Sequence, residues 1–216
     1  MENLTVSGLF THYPSADTDP DATRRALSDF LRLRALLPAG LFAHTAASAA
    51  ALSLPETVLD GARPGLALYG YAPVKTALSL RPALRLLAPV VQLCDVPRGT
   101  KVGYGGAFIT SRPSRVGTLP VGYADGFSRD LGGMTVTLLH AGKRYPVPLC
   151  GRVCMDYCMA DLTDTPAALG DAVCLMDNAD AAAARRGTIP SEILTAVTAR
   201  VERRGKGDRH ALLRDP

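Results

Sequence analysis

The stretch Val6–His12, VSGLFTH, decides how the rest of the chain is read. Apolar and β-branched residues flank Gly8 and His12 closes the run, the pattern of a buried strand. A strand hydrophobic on both faces pairs along two edges and is covered on two sides, as in a parallel sheet. The next residues fit that expectation. DTDPDATRRALSDFLRLRALLPAG predicts a helix with Asp19 as its cap, Pro20 in its first turn and a stop near Pro38 and Gly40. Ala26, Leu27, Phe30, Leu33 and Leu37 mark its apolar side. GLFAHTA reads as a second strand, SAAALSLP as a short helix, and LALYGY as a third strand behind a Gly/Pro turn. Strand and helix alternating at these intervals imply parallel strands joined by crossovers, and three strands are too few to close a barrel.

From Leu80 the texture changes. LRLLAPVVQLCDV, VGYGG, RVGTLPVGY, MTVTLLH, RYPVPL, YCMADL and DAVCLMD are separated by short turns and predict a compact all-β domain. An alanine-rich loop then leads to a helix in PSEILTAVTARVE, with Pro190 in its first turn. The expected fold class is therefore α/β plus all-β. An incomplete parallel (β/α) barrel, last strands only, occupies 1–76, a C-terminal β domain with a terminal helix occupies 77–204, and a basic tail occupies 205–216.

Bulk properties narrow the function classes. The chain has 216 residues, 47% of them hydrophobic, enough to bury a sizeable core. It has no apolar run of membrane-spanning length and no signal-peptide pattern, so a cytoplasmic location without a membrane partner is expected. The net charge of +4 is densest in ARVERRGKGDRH, where Glu202 and Asp208 interrupt it. With no basic stripe interleaved with aromatics, no nucleic-acid partner is expected. The regular gaps in CGRVCMDYC invite a metal site, yet on an extended segment residues four apart lie about 13 Å from each other, too far to share an ion. No metal is expected, and the cysteines read as buried free thiols of a reducing compartment.

Six motifs carry more. In order, SGLFTH, FAHTAASAAA, ARPGLALYG, KVGYGGAF, LPVGYADGFSR and GRVCMDYCMADLTD resemble the alanine racemase family, from about Val6 to about Val201. The similarity is to the later part of that family's sequence, the end of its α/β barrel and its C-terminal β domain. It implies an isomerase that interconverts L- and D-alanine with pyridoxal 5′-phosphate by two-base proton transfer, supplying D-alanine for peptidoglycan precursors. It also implies a small amino-acid substrate and a homodimer with each active site lying across the interface.

The same resemblance assigns residues. Ser48, Gly65 and Leu66 would hold the cofactor phosphate, and Arg63 would face the pyridine nitrogen, donating a hydrogen bond without surrendering its proton. Tyr104 matches the tyrosine base on one face of the substrate, with His12 between it and Arg63. A free phenol has a pKa near 10 and needs positive neighbours to act as a base near neutrality. Met155 and Asp156 match the substrate pocket, and Tyr123 matches a residue lining the entrance. Taken singly, each has a plainer reading: Ser48 a helix cap, Gly65 a turn glycine, Arg63 a surface arginine, Tyr104 a strand aromatic, His12 a buried histidine bonded to a carbonyl, Met155 a core residue.

The sequence also departs from the family pattern. The family's Schiff-base lysine sits on the first barrel strand, whereas Lys75, Lys101, Lys143 and Lys206 lie in no matching strand motif. The expectation is a C-terminal portion or split half, complemented by a lysine-bearing N-terminal racemase half and inactive alone. The alternative is a non-catalytic relic or partner-binding module derived from alanine racemase. Ala47 stands where the family often has asparagine, and RVERRG replaces an ending in which a proline and a closing tyrosine are usual.

Overall fold

The computed structural model describes residues 3–205. The basic tail from Lys206 onward lies outside the described residues. The chain forms two compact units, the first running to Ala83 and the second starting at Leu84.

The first unit is a parallel sheet with helices. It contains β1 (Gly8–Phe10), α1 (Pro20–Arg34), β2 (Phe42–Ala47), α2 (Ser48–Ser53), β3 (Gly61–Arg63) and α3 (Gly65–Leu68). The strands lie in the order β1-β2-β3, all parallel. The helix α1 starts where local chemistry says it should: the Asp19 carboxylate accepts the Ala22 N–H at 2.8 Å, and Pro20 needs no donor partner in the first turn. Its buried residues are Thr23, Leu27 and Phe30, whereas Ala26, Leu33 and Leu37 are exposed. The covered stripe is thus narrower than the run of leucines suggests: Leu33 falls off the i, i+4, i+7 line of these three, and Leu37 lies beyond the helix end at Arg34. Leu27 packs with Tyr13 and with Ala16, Ala46 and Ala50, three small residues that let helices close on the sheet.

Two sequence expectations are corrected in this unit. The first strand exists but is not buried on both faces: among the described residues it is an edge strand paired with β2 alone, and Val6 and Phe10 are 66% and 68% exposed. LALYGY is not a strand. The third strand is Gly61–Arg63, and Pro64 ends it ahead of the helical turn α3, where the Tyr69 N–H donates to the Leu66 carbonyl. A short apolar run carries no period of its own, so strand and helix compete for it on equal terms. The segment after α3 stays with this unit, since the Ala83 N–H donates to the Tyr69 carbonyl at 3.0 Å.

The second unit is an antiparallel β domain followed by two helices. Its strands are β4 (Leu86–Pro89), β5 (Gln92–Val96), β6 (Lys101–Val102), β7 (Phe108–Ile109), β8 (Ser114–Leu119), β9 (Thr135–His140), β10 (Lys143–Cys150), β11 (Cys158–Asp161) and β12 (Ala172–Met176). Its helices are α4 (Ala179–Arg186) and α5 (Pro190–Ala196). Seven strands form one sheet in the order β4-β12-β9-β10-β11-β8-β5, while β6 and β7 pair separately. The two edge strands of the large sheet are neighbours in sequence. Only Val90 and Val91 separate β4 from β5, and these two residues reach opposite edges: the Val90 N–H donates to Asp171 O at 2.8 Å and the Val91 N–H to Thr118 O at 3.0 Å. The sheet therefore curls so that the end of one edge strand and the start of the other are joined by this short link, around a core that includes Leu119, Leu138, Leu149, Leu162 and Val173.

The local sequence explains the strand choices. β12 is buried at all five positions and reads AVCLM without a polar residue. In β10 the two prolines, Pro146 and Pro148, precede the Leu149–Cys150 segment that pairs with β11, so their missing N–H groups interrupt no ladder on that side. The expected alanine-rich loop is instead α4. The Asn178 side chain accepts the Asp180 N–H at its start, alanine has the best intrinsic helix propensity, and Gly187 in the left-handed region ends it. The last helix is shorter than the sequence pattern suggests and stops at Ala196.

Candidate active site

Parallel strands bring their carboxyl ends to one edge of the sheet, where loop residues converge. Arg63, the last residue of β3, spans all three strands there. Its Nη2 donates to the carbonyls of Thr11 at 2.9 Å and Thr45 at 3.3 Å, and lies 3.4 Å from His12 Nδ1. Its Nη1 donates to the His44 carbonyl at 3.1 Å and to His44 Nδ1 at 2.6 Å. A guanidinium offers only N–H groups, so His44 Nδ1 is the acceptor and the proton of the neutral ring sits on Nε2. The Phe10 ring stacks on His44 with centroids 5.4 Å apart and planes 4° from parallel, and the Arg63 guanidinium carbon stands 5.5 Å from the Phe10 centroid. Arg63 Nε has no acceptor among the described residues, which leaves one N–H of a rigidly held cation free.

Beside it lies a set of unused donors. Ser48, the first residue of α2, is buried, and its Oγ accepts the Ala67 N–H at 3.0 Å. Its own hydroxyl proton has no acceptor among the described residues, and neither do the Gly65 and Leu66 N–H groups. A Cβ built on Gly65 meets nothing within 4 Å, so there is open space above these amides. Ser48 is thus not the cap of its own helix, which Ala47 precedes without a side-chain bond; its Oγ instead accepts from the α3 turn, and that bond leaves its O–H free. Tyr13 is buried, and its phenolic oxygen meets no hydrogen-bond partner among the described residues. Burial pushes its pKa up, with Thr45 and the Arg63 charge drawing it partly back.

The remaining candidates belong to the second unit. Tyr104 is 73% exposed on a tight turn whose flanking Gly103 and Gly105 have φ of 73° and 70°. Such angles are adopted at low cost only by glycine, so the turn is built to project the one side chain between them. Tyr123, Met155 and Asp156 come together where two loops meet. The Tyr123 N–H donates to the Cys154 carbonyl at 3.0 Å and the Ala124 N–H to the Met155 carbonyl at 2.9 Å. Met155 is 54% exposed, which sets aside its plainer reading as core, and its N–H has no acceptor among the described residues. The cysteines are all free. Cys150, Cys158 and Cys174 are buried, and burial pushes each thiol up to about 12, whereas Cys94 is exposed and Cys154 half-buried.

The model of the alanine racemase C-terminal domain matches residues 83–205, and that of the N-terminal domain matches residues 1–73. The chain belongs to the alanine racemase family. An alanine racemase of Desulfovibrio desulfuricans is 41% identical over 218 residues, a match covering 94% of this chain and 57% of that protein. Among solved structures, the alanine racemase of E. faecalis superposes with a TM-score of 0.80 at 31% identity, covering 90% of this chain and 55% of the other. That of Bartonella henselae, solved with covalently bound pyridoxal phosphate, gives 0.78 at 30% identity, covering 92% and 56%. The chain spans a little over half the length of the racemases it matches.

Within this racemase frame the motifs in the first unit converge: His12, Ser48, Arg63, Gly65 and Leu66 sit at one sheet edge. His12 is exposed rather than buried, and the closer ring on Arg63 is that of His44, which sequence reasoning passed over. Its signal was available in FAHTAA, where alternation puts Phe42 and His44 on one face and Ala43 and Thr45 on the other.

Proposed function

We propose that this chain is the part of a pyridoxal-phosphate-dependent alanine racemase that seats the cofactor and carries one of its two bases, interconverting L-alanine and D-alanine. The observation that carries the reading is Arg63, with both Nη atoms spent on protein acceptors and Nε–H free.

The residues present fit pyridoxal 5′-phosphate. The Ser48 hydroxyl and the Gly65 and Leu66 amides offer donors beside open space, as a phosphate needs. Arg63 Nε–H suits a ring nitrogen that only accepts, and the guanidinium, which does not give up its proton, keeps that nitrogen uncharged. When bound, the cofactor supplies the electron sink that makes the α-proton of an amino acid labile. Tyr104 takes that proton from one face of the α-carbon or returns it. The Met155 N–H offers a donor for the substrate carboxylate, Asp156 lines the same pocket, and Tyr123 lines its mouth. The opposite face requires a lysine amine. Lys75 lies beyond α3, Lys101 in β6 and Lys143 in β10, all off the parallel sheet, and Lys206 lies outside the described residues and in no matching strand motif, so we assign that amine to a lysine-bearing N-terminal racemase half. Tyr104 then serves a site shared across a dimer.

The test combines the chain with a lysine-bearing N-terminal racemase half. The expected result is saturable binding of pyridoxal 5′-phosphate, weakened at least tenfold by Arg63→Met, together with D-alanine formation from L-alanine that Tyr104→Phe abolishes. Absence of both binding and turnover in the combined preparation counts against the proposal.

A further inference from the structure

We infer that Arg200 is a positioning residue whose guanidinium ties Asp156 to Asp125 and so holds the Cys154–Asp156 turn against the Tyr123 turn. Its meaning for substrate binding rests on the racemase reading above, while the clamp itself does not.

Three segments far apart in sequence meet at this place. The 122–126 turn is joined to the 154–155 segment by the two backbone bonds from Tyr123 and Ala124. The approach is close enough that a Cβ on Gly122 would lie 2.2 Å from the Met155 carbonyl oxygen. The end of α5 supplies the third segment. The Thr198 N–H donates to the Asp125 carbonyl at 3.0 Å, and Thr198 Oγ1 lies 3.3 Å from the Ala124 carbonyl oxygen.

Arg200 spans the assembly. Its Nη2 donates to Asp156 Oδ1 at 2.8 Å, and its Nε stands 3.4 Å from Asp125 Oδ1. The two carboxylates are unequal. The Asp125 side chain is 11% exposed, and its other oxygen accepts the Gly122 N–H at 2.9 Å, so it is fixed from both sides. The Asp156 side chain is 45% exposed, and Arg200 is its one anchor among the described residues. Rigidity therefore passes in one direction, from the buried carboxylate through the guanidinium to the exposed one. A planar fork can address two carboxylates at once, which a lysine ammonium does poorly. The backbone bonds fix Cys154 and Met155 through their carbonyls, and Arg200 fixes the next residue through its side chain. Between these two anchors the Met155 N–H is held facing one way.

Arg200→Met removes the bridge and keeps the aliphatic stem, and Arg200→Lys keeps the charge without the fork. Site-resolved amide exchange on the chain reads the effect. In Arg200→Met the Tyr123 and Ala124 amides are expected to exchange about fivefold faster, the size of a partly screened ion pair, with β9 and β10 unchanged and Arg200→Lys in between. Asp156→Asn should loosen the same amides, and adding Arg200→Met to it should give less than the product of the two effects. Unchanged rates, or a uniform rise across the second unit, overturns the clamp. In the racemase assay Arg200→Met should raise KM for alanine about fivefold with kcat within about twofold, and a fall in kcat at constant KM overturns the positioning role. A parent preparation without turnover refutes the racemase reading instead, and the exchange rates then decide Arg200 by themselves.

Discussion

Replacing Arg63 by methionine tests the architecture of the sheet edge directly. The substitution keeps an unbranched apolar stem near Phe10 and deletes the fork that reaches Thr11, His44 and Thr45. Hydrogen bonds to a charged donor contribute about 1.5–3 kcal/mol each. These carbonyls stand where water can replace the guanidinium, and bonds sharing one donor group are not additive, so the net loss is about 2–4 kcal/mol. It falls locally, because among the described residues β1 pairs only with β2 and the Thr11 bond is what ties its end across to β3. A single unfolding midpoint would blend two units, so the suitable assay is amide exchange on peptides covering 7–12 and 42–47. The expected acceleration in β2 is roughly 30- to 1,000-fold, with the β domain unaffected. Rates within twofold of the parent would show that Arg63 is an ordinary surface arginine and refute the reasoning.

Other substitutions probe separate features. Tyr13→Phe removes a buried hydroxyl without a partner among the described residues and should stabilise the first unit by about 1 kcal/mol, read as slower exchange in β2. Gly122→Ala places a Cβ 2.2 Å from the Met155 carbonyl oxygen and should cost about 3 kcal/mol or more, seen as faster exchange of the Tyr123 and Ala124 amides. Alkylation followed by peptide mapping should label Cys94 first and spare Cys150, Cys158 and Cys174 until the fold opens. Those three thiols are raised to about 12 in the folded chain, so the unfolded chain loses protons first as pH rises. Stability should hold below about pH 9 and then fall by about 1.4 kcal/mol per thiol per pH unit up to about pH 12, which denaturant titrations across that range can follow.

Legibility from sequence tracked how local the determining physics is. The start of α1 was readable because Asp19 and Pro20 act within one turn, and the β strands were readable because their alternation is set by the pleat. The α3 turn was not, since four apolar residues fit either backbone and Pro64 tips the choice only by ending β3. The α4 helix carries local signals in Asn178, the alanines and Gly187, yet an alanine-rich composition fits a linker as well, and only the cap and stop at its two ends separate the alternatives. Exposure of β1 was hidden because burial depends on what covers a strand. At the site, His12, Ser48 and Arg63 come from motifs that each follow or end a parallel strand, so their order along the chain carries their placement near one edge. The Arg63–His44 contact and the Arg200 bridge escaped because each joins residues through folding geometry that no spacing records.

The pair Val90–Val91 acts as a gauge of circumference. Each residue is bonded on a different side of the same sheet, so the chain length between Pro89 and Gln92 sets how far the curled sheet must bend for its two edge strands to be joined there. One residue more or less would shift one ladder by a step and turn its side chains inside out. Insertions should be accepted at the Ala141–Gly142 hairpin tip and refused at this seam, which makes the seam the place where the domain's size is written.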